Sequence, residues 1–144
     1  MIMENKEELS VTLLISNSPF TVDETIENLQ HILTERRIKI FSIFDHGGES
    51  QRLKLPLKNC QVVAFGDPMV GTNLMLLDPR VAIALPLKIL VWEDGAKGTQ
   101  IAYRDPATLV YDYAVSEHMP ILDKMRQLLE DLVIQSTKQE TETC

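Results

Sequence analysis

The stretch from Phe65 to Pro106 constrains the fold more than any other part of the chain, because glycine and proline punctuate it at close intervals. Gly-Asp-Pro occupies residues 66–68, Asp-Pro residues 78–79 and Leu-Pro residues 85–86. Proline fixes φ and lacks an amide donor, and glycine permits torsions that other residues resist. The stretch therefore specifies one backbone course of short elements and tight turns. It carries no familiar reactive signature, so it indicates architecture rather than chemistry.

Length and composition are those of one globular domain. The chain has 144 residues, of which 44% are hydrophobic and 24% charged, close to the globular average. Its net charge is −7, and the basic residues are scattered apart from a small group at residues 36–39. Binding to a phosphate backbone needs clustered lysine and arginine. We therefore expect no nucleic-acid partner.

Sequence features bearing on location predict a cytoplasmic chain with no membrane partner. The first residues lack the pattern of a secretory signal. The longest apolar run, residues 81–92, is interrupted by Pro86 and Lys88 and is too short to cross a bilayer. Of the two cysteines, Cys144 is terminal, so we expect no disulfide. Residues 1–134 are predicted to form the domain, and the polar, aperiodic tail 135–144 is predicted to fray.

Two long helices and five strands are predicted from periodicity. Thr21 stands three residues before Glu24, the spacing of a capping box, and an apolar stripe then runs to about Arg36. A second amphipathic helix follows Ser116. Apolar and β-branched runs predict strands at residues 10–16, 38–44, 60–65, 87–93 and 99–104.

Shorter features connect these elements. Asp45-His46-Gly47-Gly48 is predicted to form a turn before a short helix at residues 49–54, and Asp67 is predicted to cap another helix that has Pro68 at its first position. Strands joined by tight turns predict a two-layer α+β fold, a largely antiparallel sheet with both long helices on one face. The other face is then solvated, lined for a ligand or buried against a partner.

Five residues at strand ends are candidates for a ligand site, because backbone can approach closely there and polar side chains can converge without breaking the core. Each also has a structural alternative. A histidine at a strand end can fix a turn, the aspartate can cap a helix, and a Glu–Tyr pair across a hairpin can cap a sheet edge. The five are His46, Gly66, Asp67, Glu93 and Tyr103.

Other chemistry is disfavoured by spacing. The three histidines, His31, His46 and His118, lie far apart and form no metal-ligand spacing, so we expect no metal site and no cofactor. Cys60 heads an apolar strand without an adjacent base, which is typical of an inert buried thiol. The chain has no Gly-x-Ser-x-Gly sequence, so a serine hydrolase is not supported.

A set of motifs and single residues between residues 10 and 113 forms a specific pattern. Its members are Thr25, Asp45-His46, Phe65-Gly66-Asp67-Pro68, Gly71-Thr72, Met75, Asp78-Pro79, Leu85-Pro86-Leu87-Lys88, Trp92-Glu93-Asp94, Tyr103 and Asp105-Pro106. This pattern resembles that of the bacterial and archaeal family called domain of unknown function 302. The resemblance implies a single-copy TBP-like α+β fold and a tendency to form homodimers, and it implies no activity.

Two positions depart from the pattern of the family. Arg37 stands where relatives usually have glycine, at the end of the first helix, where left-handed torsions cost a non-glycine residue on the order of 1 kcal/mol. Asp67 stands where relatives often have asparagine. The swap keeps the capping oxygen and adds a charge.

Three hypotheses of function follow. The leading one is a homodimeric module that binds a small ligand or serves as an accessory to another protein. The second is a small enzyme that uses His46 as general base with Glu93 or Tyr103. The third is a structural module that uses its sheet face for protein interaction.

Overall fold

The computed structural model describes residues 12–139. Within that range the strands form one antiparallel sheet in the spatial order β1-β5-β4-β3-β2. The α+β class and the antiparallel sheet are therefore confirmed. The strands are β1 (Leu13–Asn17), β2 (Lys39–Asp45), β3 (Cys60–Gly66), β4 (Leu87–Asp94) and β5 (Gly98–Arg104).

Helices separate the strands along the chain, except that a tight turn joins β4 directly to β5. Within residues 12–139, three short 3-10 helices, at Pro79–Ala84, Pro106–Tyr111 and Ser116–His118, link the larger elements. The α-helices are α1 (Val22–Glu35), α2 (His46–Arg52), α3 (Pro68–Leu77) and α4 (Met119–Ser136).

Local sequence signals define α1 at both ends. The Thr21 hydroxyl accepts the Glu24 amide at 3.1 Å, and the Glu24 carboxylate accepts the Thr21 amide at 3.0 Å, so the predicted capping box is present. At the other end the Ile38 amide donates to Leu33 at 2.9 Å, and Arg37 lies in the left-handed region with φ of 59°. This is the Schellman ending, which glycine favours.

The main core lies between one face of the sheet and the helices α1 and α4, as the sequence predicts. The leucines of both helices pack on the buried side chains of β3, β4 and β5. Each fully buried leucine contributes about 1.5–3 kcal/mol. A second apolar cluster joins α3, the 3-10 helices and the first half of α4. Leu87 is packed against both clusters.

The opposite face of the sheet is covered by neither α1 nor α4, and we call it the helix-free face. Ile83 and Ala84 of the 3-10 helix lie at its border, where they line one depression with Leu13 and Ile15. Strand alternation and register place the side chains of Leu13, Ile15, Phe44, Leu90 and Trp92 there. The first three are 44%, 48% and 45% exposed. The face thus carries exposed apolar side chains, and the same register places the polar residues Lys88, Gln100 and Arg104 on it.

The predicted turn at residues 45–48 is wrong. Asp45 is the N-cap of α2, which begins at His46, and its carboxylate accepts the Gly48 amide at 2.8 Å. Glycine pairs predict turns because they are flexible, but an aspartate cap supplies the acceptor that starts a helix. Gly47 is needed for packing, since a Cβ there would lie 2.8 Å from the Lys58 carbonyl oxygen.

The helix α4 continues two residues beyond the predicted boundary at Ile134. Ser136 is fully buried, and its carbonyl accepts the Asn28 side-chain amide at 3.0 Å. A polar sequence therefore does not mark this helix end, because a small serine fits against α1. Residues 1–11 and 140–144, which include the start of the predicted first strand and the end of the tail, lie outside the described residues.

Candidate functional site

An apolar pocket of about 490 Å³ lies between α3 and α4. It sits at the seam between the two apolar clusters, since its wall includes Leu87, which belongs to both, Met125 from the second and Leu128 from the first. Its volume falls in the range of sites for one small organic molecule. We call it the α3–α4 pocket. Its lining residues are Phe41, Gly66, Asp67, Pro68, Val70, Gly71, Thr72, Met75, Leu85, Pro86, Leu87, Ile121, Lys124, Met125 and Leu128.

The wall formed by α3 depends on how that helix begins. The Asp67 carboxylate accepts the Met69 amide at 2.9 Å, and Pro68 stands at the first helical position, as the sequence predicts. Gly71 then faces the pocket. A Cβ at Gly71 would lie 3.6 Å from Leu85 Cδ1, which is ordinary van der Waals contact. A small side chain is therefore tolerated there, and a large one would fill the pocket.

The opposite wall is one stripe of α4. Ile121, Met125 and Leu128 recur at the spacing of a helix face and all line the pocket. Lys124 lies at the edge of this stripe and is exposed. Its methylene groups can cover apolar surface while the ammonium group stays in water.

Polar groups are few and lie at the rim. Asp67, Thr72 and Lys124 are exposed residues of the lining. A second cation is close, since the Lys39 Nζ lies 4.9 Å from the centroid of the Phe41 ring, which also lines the pocket. The pocket therefore combines apolar walls with one ammonium group and one carboxylate in its lining, and a further ammonium group, that of Lys39, lies against the Phe41 ring.

Two of the five predicted site residues, Gly66 and Asp67, line this pocket. His46 and Glu93 lie at the far end of β3. Lys39 pairs with Gly66 and Asp45 pairs with Gln61, so β2 separates His46 from Gly66 by its full length. The Glu93 amide donates to the Asn59 carbonyl at 2.9 Å, which places it near the start of β3.

Tyr103 lies elsewhere again. It pairs with Leu14 of β1, and its side chain is buried in the main core, on the helix-covered face. Burial, and then the carboxylate of Glu130, raise the pKa of Tyr103. Glu93 pairs with Thr99 rather than with Tyr103. The expectation that the five residues gather at one site is therefore wrong. His46 and Glu93 lie at the opposite end of the sheet from Gly66 and Asp67, and Tyr103 is buried in the main core.

His46 is the first residue of α2, and its side chain contacts a neighbouring strand residue. Its ring stacks on Phe44, with centroids 6.3 Å apart and planes 12° apart. This stacking directs it toward the helix-free face, opposite to Tyr103. Nearby, burial and then Asp45 raise the pKa of the Cys60 thiol, which disfavours the reactive thiolate.

Sequence reasoning missed Phe41 and Lys124 as lining residues. The helical stripe of Ile121, Met125 and Leu128 is visible in the sequence, but its role as a pocket wall depends on how α3 packs. Within residues 12–139 no group of three His, Cys, Asp or Glu side chains is placed to hold a metal ion. No helix of that part of the chain has the length and apolarity that crossing a membrane requires.

Comparison with known proteins identifies a family. The sequence model described as "Domain of unknown function DUF302" matches residues 15–135. A crystal structure of an uncharacterized conserved DUF302 protein from Bacillus stearothermophilus has a TM-score of 0.66 with this chain. The two sequences are 18% identical, and the match covers 88% of this chain and 95% of the Bacillus stearothermophilus chain. At that identity the likeness concerns the fold alone.

Curated relatives come from Brucella. The fluoride-specific ion channel FluC 1 of Brucella suis is 30% identical over 103 residues, which are 72% of this chain and 41% of that protein. FluC 1 of Brucella abortus matches equally, over 38% of its length. This chain thus spans less than half of the curated relatives it matches.

Proposed function

The chain belongs to the family of the domain of unknown function DUF302, and from that premise we propose that it is a binding module whose small-molecule ligand lies in the α3–α4 pocket. The observation that carries the proposal is the pocket itself, with about 490 Å³ of space between aliphatic and thioether side chains. Concave apolar sites with a few polar groups at the edge are the usual form of a ligand site.

The residues that carry the family resemblance support this position. Gly66, Asp67, Gly71, Thr72 and Met75 belong to the motif set, and all of them line the pocket. The same set also contains residues with folding roles, such as the buried Thr25, whose hydroxyl lies 2.7 Å from that of Ser18. The pocket is therefore the main support for ligand binding, and the motif residues in its lining are additional support.

An enzyme that uses His46 as general base finds less support. Asp45 is engaged as a helix cap, and Tyr103 is on the opposite face of the sheet. Glu93 lies 4.0 Å from the Lys58 ammonium group in an exposed pair. The curated relatives are called fluoride-specific ion channels, and a role as an accessory domain to a membrane protein accords with our proposal. Cytoplasmic location and TBP-like topology stay predictions.

We further propose that the helix-free face joins two copies of the chain. Exposed apolar side chains on one sheet face favour association, and a twofold pairing needs one self-complementary patch. Ile15 and Leu13 are about half exposed there, and Ile83 beside them is 82% exposed. Leu13, Ile15 and Ile83 do not line the α3–α4 pocket, although Leu87 lines both that pocket and the depression beside them.

Light scattering tests the dimer. We expect wild-type protein at micromolar concentration to have twice the 16.3 kDa chain mass, and Ile15→Glu to have the single mass, because a buried unpaired charge opposes association. Leu76→Glu is the matched control, since Leu76 is 77% exposed on α3 and lies outside both surfaces. Wild-type protein of single mass would contradict the dimer.

A thermal-shift screen of apolar and amphipathic metabolites tests the ligand proposal. A ligand that binds the native state raises the melting temperature. We expect some compounds to raise the melting temperature of the wild-type protein. Gly71→Leu should abolish these shifts because the larger side chain fills the pocket. Asn73→Leu should retain them, because Asn73 is exposed on the same helix and does not line the pocket. Hits that Gly71→Leu retains at full strength would overturn the proposal.

A further inference from the structure

We infer that the ligand of the α3–α4 pocket is a single-chain anionic amphiphile, a long-chain carboxylate, with its head group at the Lys124 ammonium group and its chain between α3 and α4. This inference rests on the proposed function of that pocket. It assigns a ligand class from the chemistry of the walls and of the rim, which are separate observations.

The walls suit a flexible hydrocarbon chain. They are built from branched aliphatic and methionine side chains, and the lining includes one aromatic residue, Phe41. Flat ring systems are usually bound between aromatic side chains, whereas methionine adapts its shape to irregular apolar ligands. Met75 comes from α3 and Met125 from α4, so an adaptable side chain stands on each wall. A volume of about 490 Å³ suits one chain rather than a two-chain lipid.

The rim favours an anion. Lys124 lines the pocket and is exposed, and it takes part in none of the ion pairs among residues 12–139. The lysine at position 39, over the Phe41 ring, adds a second positive charge at the edge. An anionic head group near the Lys124 and Lys39 ammonium groups would be attracted by both charges and would stay in contact with water.

One carboxylate opposes this attraction. Asp67 lines the pocket, but its Oδ1 accepts the Met69 amide at the beginning of α3. The positive end of the helix dipole offsets part of its charge. Asp123 precedes Lys124 in the chain and is exposed, and it is not part of the lining. The balance at the rim is therefore positive.

Displacement of the fluorescent fatty acid cis-parinarate measures the preference. We expect dodecanoate to displace it at lower concentration than dodecanol or dodecyltrimethylammonium. Lys124→Glu reverses one exposed charge, so it should weaken the binding of dodecanoate roughly three- to tenfold. It should leave the binding of dodecanol unchanged. Lys138→Glu makes the same charge change outside the pocket and should leave both unchanged. Asp67→Asn, which keeps the capping oxygen, should strengthen dodecanoate.

The outcomes separate this inference from the proposed function. Dodecanoate and dodecanol could displace the probe equally well, and Lys124→Glu could behave as the wild-type protein does. These results would overturn the assignment of an anionic head group and would leave the pocket as a ligand site. Displacement that Gly71→Leu does not weaken would overturn the pocket itself. The protein could instead sediment with phosphatidylglycerol vesicles and fail to bind free dodecanoate. That result would overturn the single-chain assignment in favour of a bilayer head group.

Discussion

Aspartates start most of the short elements of this chain. Asp67, Asp78 and Asp105 each precede a proline, and each carboxylate accepts an amide two residues on, at 2.9–3.0 Å. Proline at the first helical position loses no hydrogen bond, and the aspartate satisfies a free amide. The Asp-Pro pairs therefore mark helix beginnings. Part of the acidic composition serves backbone capping rather than recognition of a partner.

Asp78 makes the most contacts of these caps. Its carboxylate accepts the Arg80 side chain at 2.9 and 2.7 Å and the Ala114 amide at 2.9 Å. These bonds connect the 3-10 helix after α3 to the segment before α4. The hydrogen bond from Arg80, and then that from Ala114, hold the pKa of Asp78 well below its usual range.

We predict that Asp78→Asn lowers the melting temperature more at pH 7 than at pH 3. The pKa of Asp78 is lower in the folded state than in the unfolded state. Its contribution to stability is therefore complete above about pH 4 and is lost as the pH falls toward the folded-state pKa. Melting curves of both proteins at both pH values measure this. Asp123→Asn, an exposed change on α4, is the control, and an equal loss at the two pH values would contradict the prediction.

Arg37 tests the backbone at the end of α1. Its φ of 59° costs a residue with a Cβ on the order of 1 kcal/mol. We predict that Arg37→Gly raises the free energy of unfolding by about that amount in urea titrations. Arg37→Ala removes the same charge but keeps the Cβ, so it should stay close to wild type. A gain with alanine equal to that with glycine would assign the effect to charge.

Among the elements, α4 has two roles along its length. Ile121, Met125 and Leu128, from its beginning to its middle, line the α3–α4 pocket, and Leu129, Leu132 and Val133 pack in the main core. Such a helix couples the pocket wall to the rigid part of the fold. A preformed wall reduces the ordering that a ligand must impose.

The last turn of α4 is part of the packed helix. We predict that ending the chain after Ile134 lowers the free energy of unfolding by about 1–2 kcal/mol, because it removes the buried Ser136 and the acceptor of the Asn28 side chain. Ending it after Lys138 should change little. Urea titrations compare the two truncations, and equal stability would show that residues 135–138 do not contribute.

The sequence was sufficient to predict which segments form helices and strands. It was not sufficient to predict which of these elements pack against each other. The capping box of α1, the apolar stripes and the β-branched runs are local patterns, so α1, α4 and the strands were predictable within a few residues. The separation of His46 from Gly66 depends on the pairing of β2 with β3, which no local pattern fixes. The Lys124 position at the pocket rim likewise depends on the packing of α3.

At the scale of the whole molecule, two apolar surfaces are not covered by any of the described residues 12–139. One is the helix-free face of the sheet, and the other is the α3–α4 pocket at the seam between the two clusters. A two-layer fold with both long helices on one side accounts for the first. The insertion of α3 between β3 and β4 accounts for the second. Our account assigns association of copies to the first and ligand binding to the second.

Methyl NMR of methionine-labelled protein tests ligand binding most directly. Met75 and Met125 line the pocket from its two walls, and Met69, on α3, is 73% exposed and outside it. We predict that dodecanoate and dodecanol shift the Met75 and Met125 methyl signals in a saturable way and leave that of Met69 in place. Saturating amphiphile that leaves the Met75 and Met125 signals unmoved would contradict ligand binding in the α3–α4 pocket.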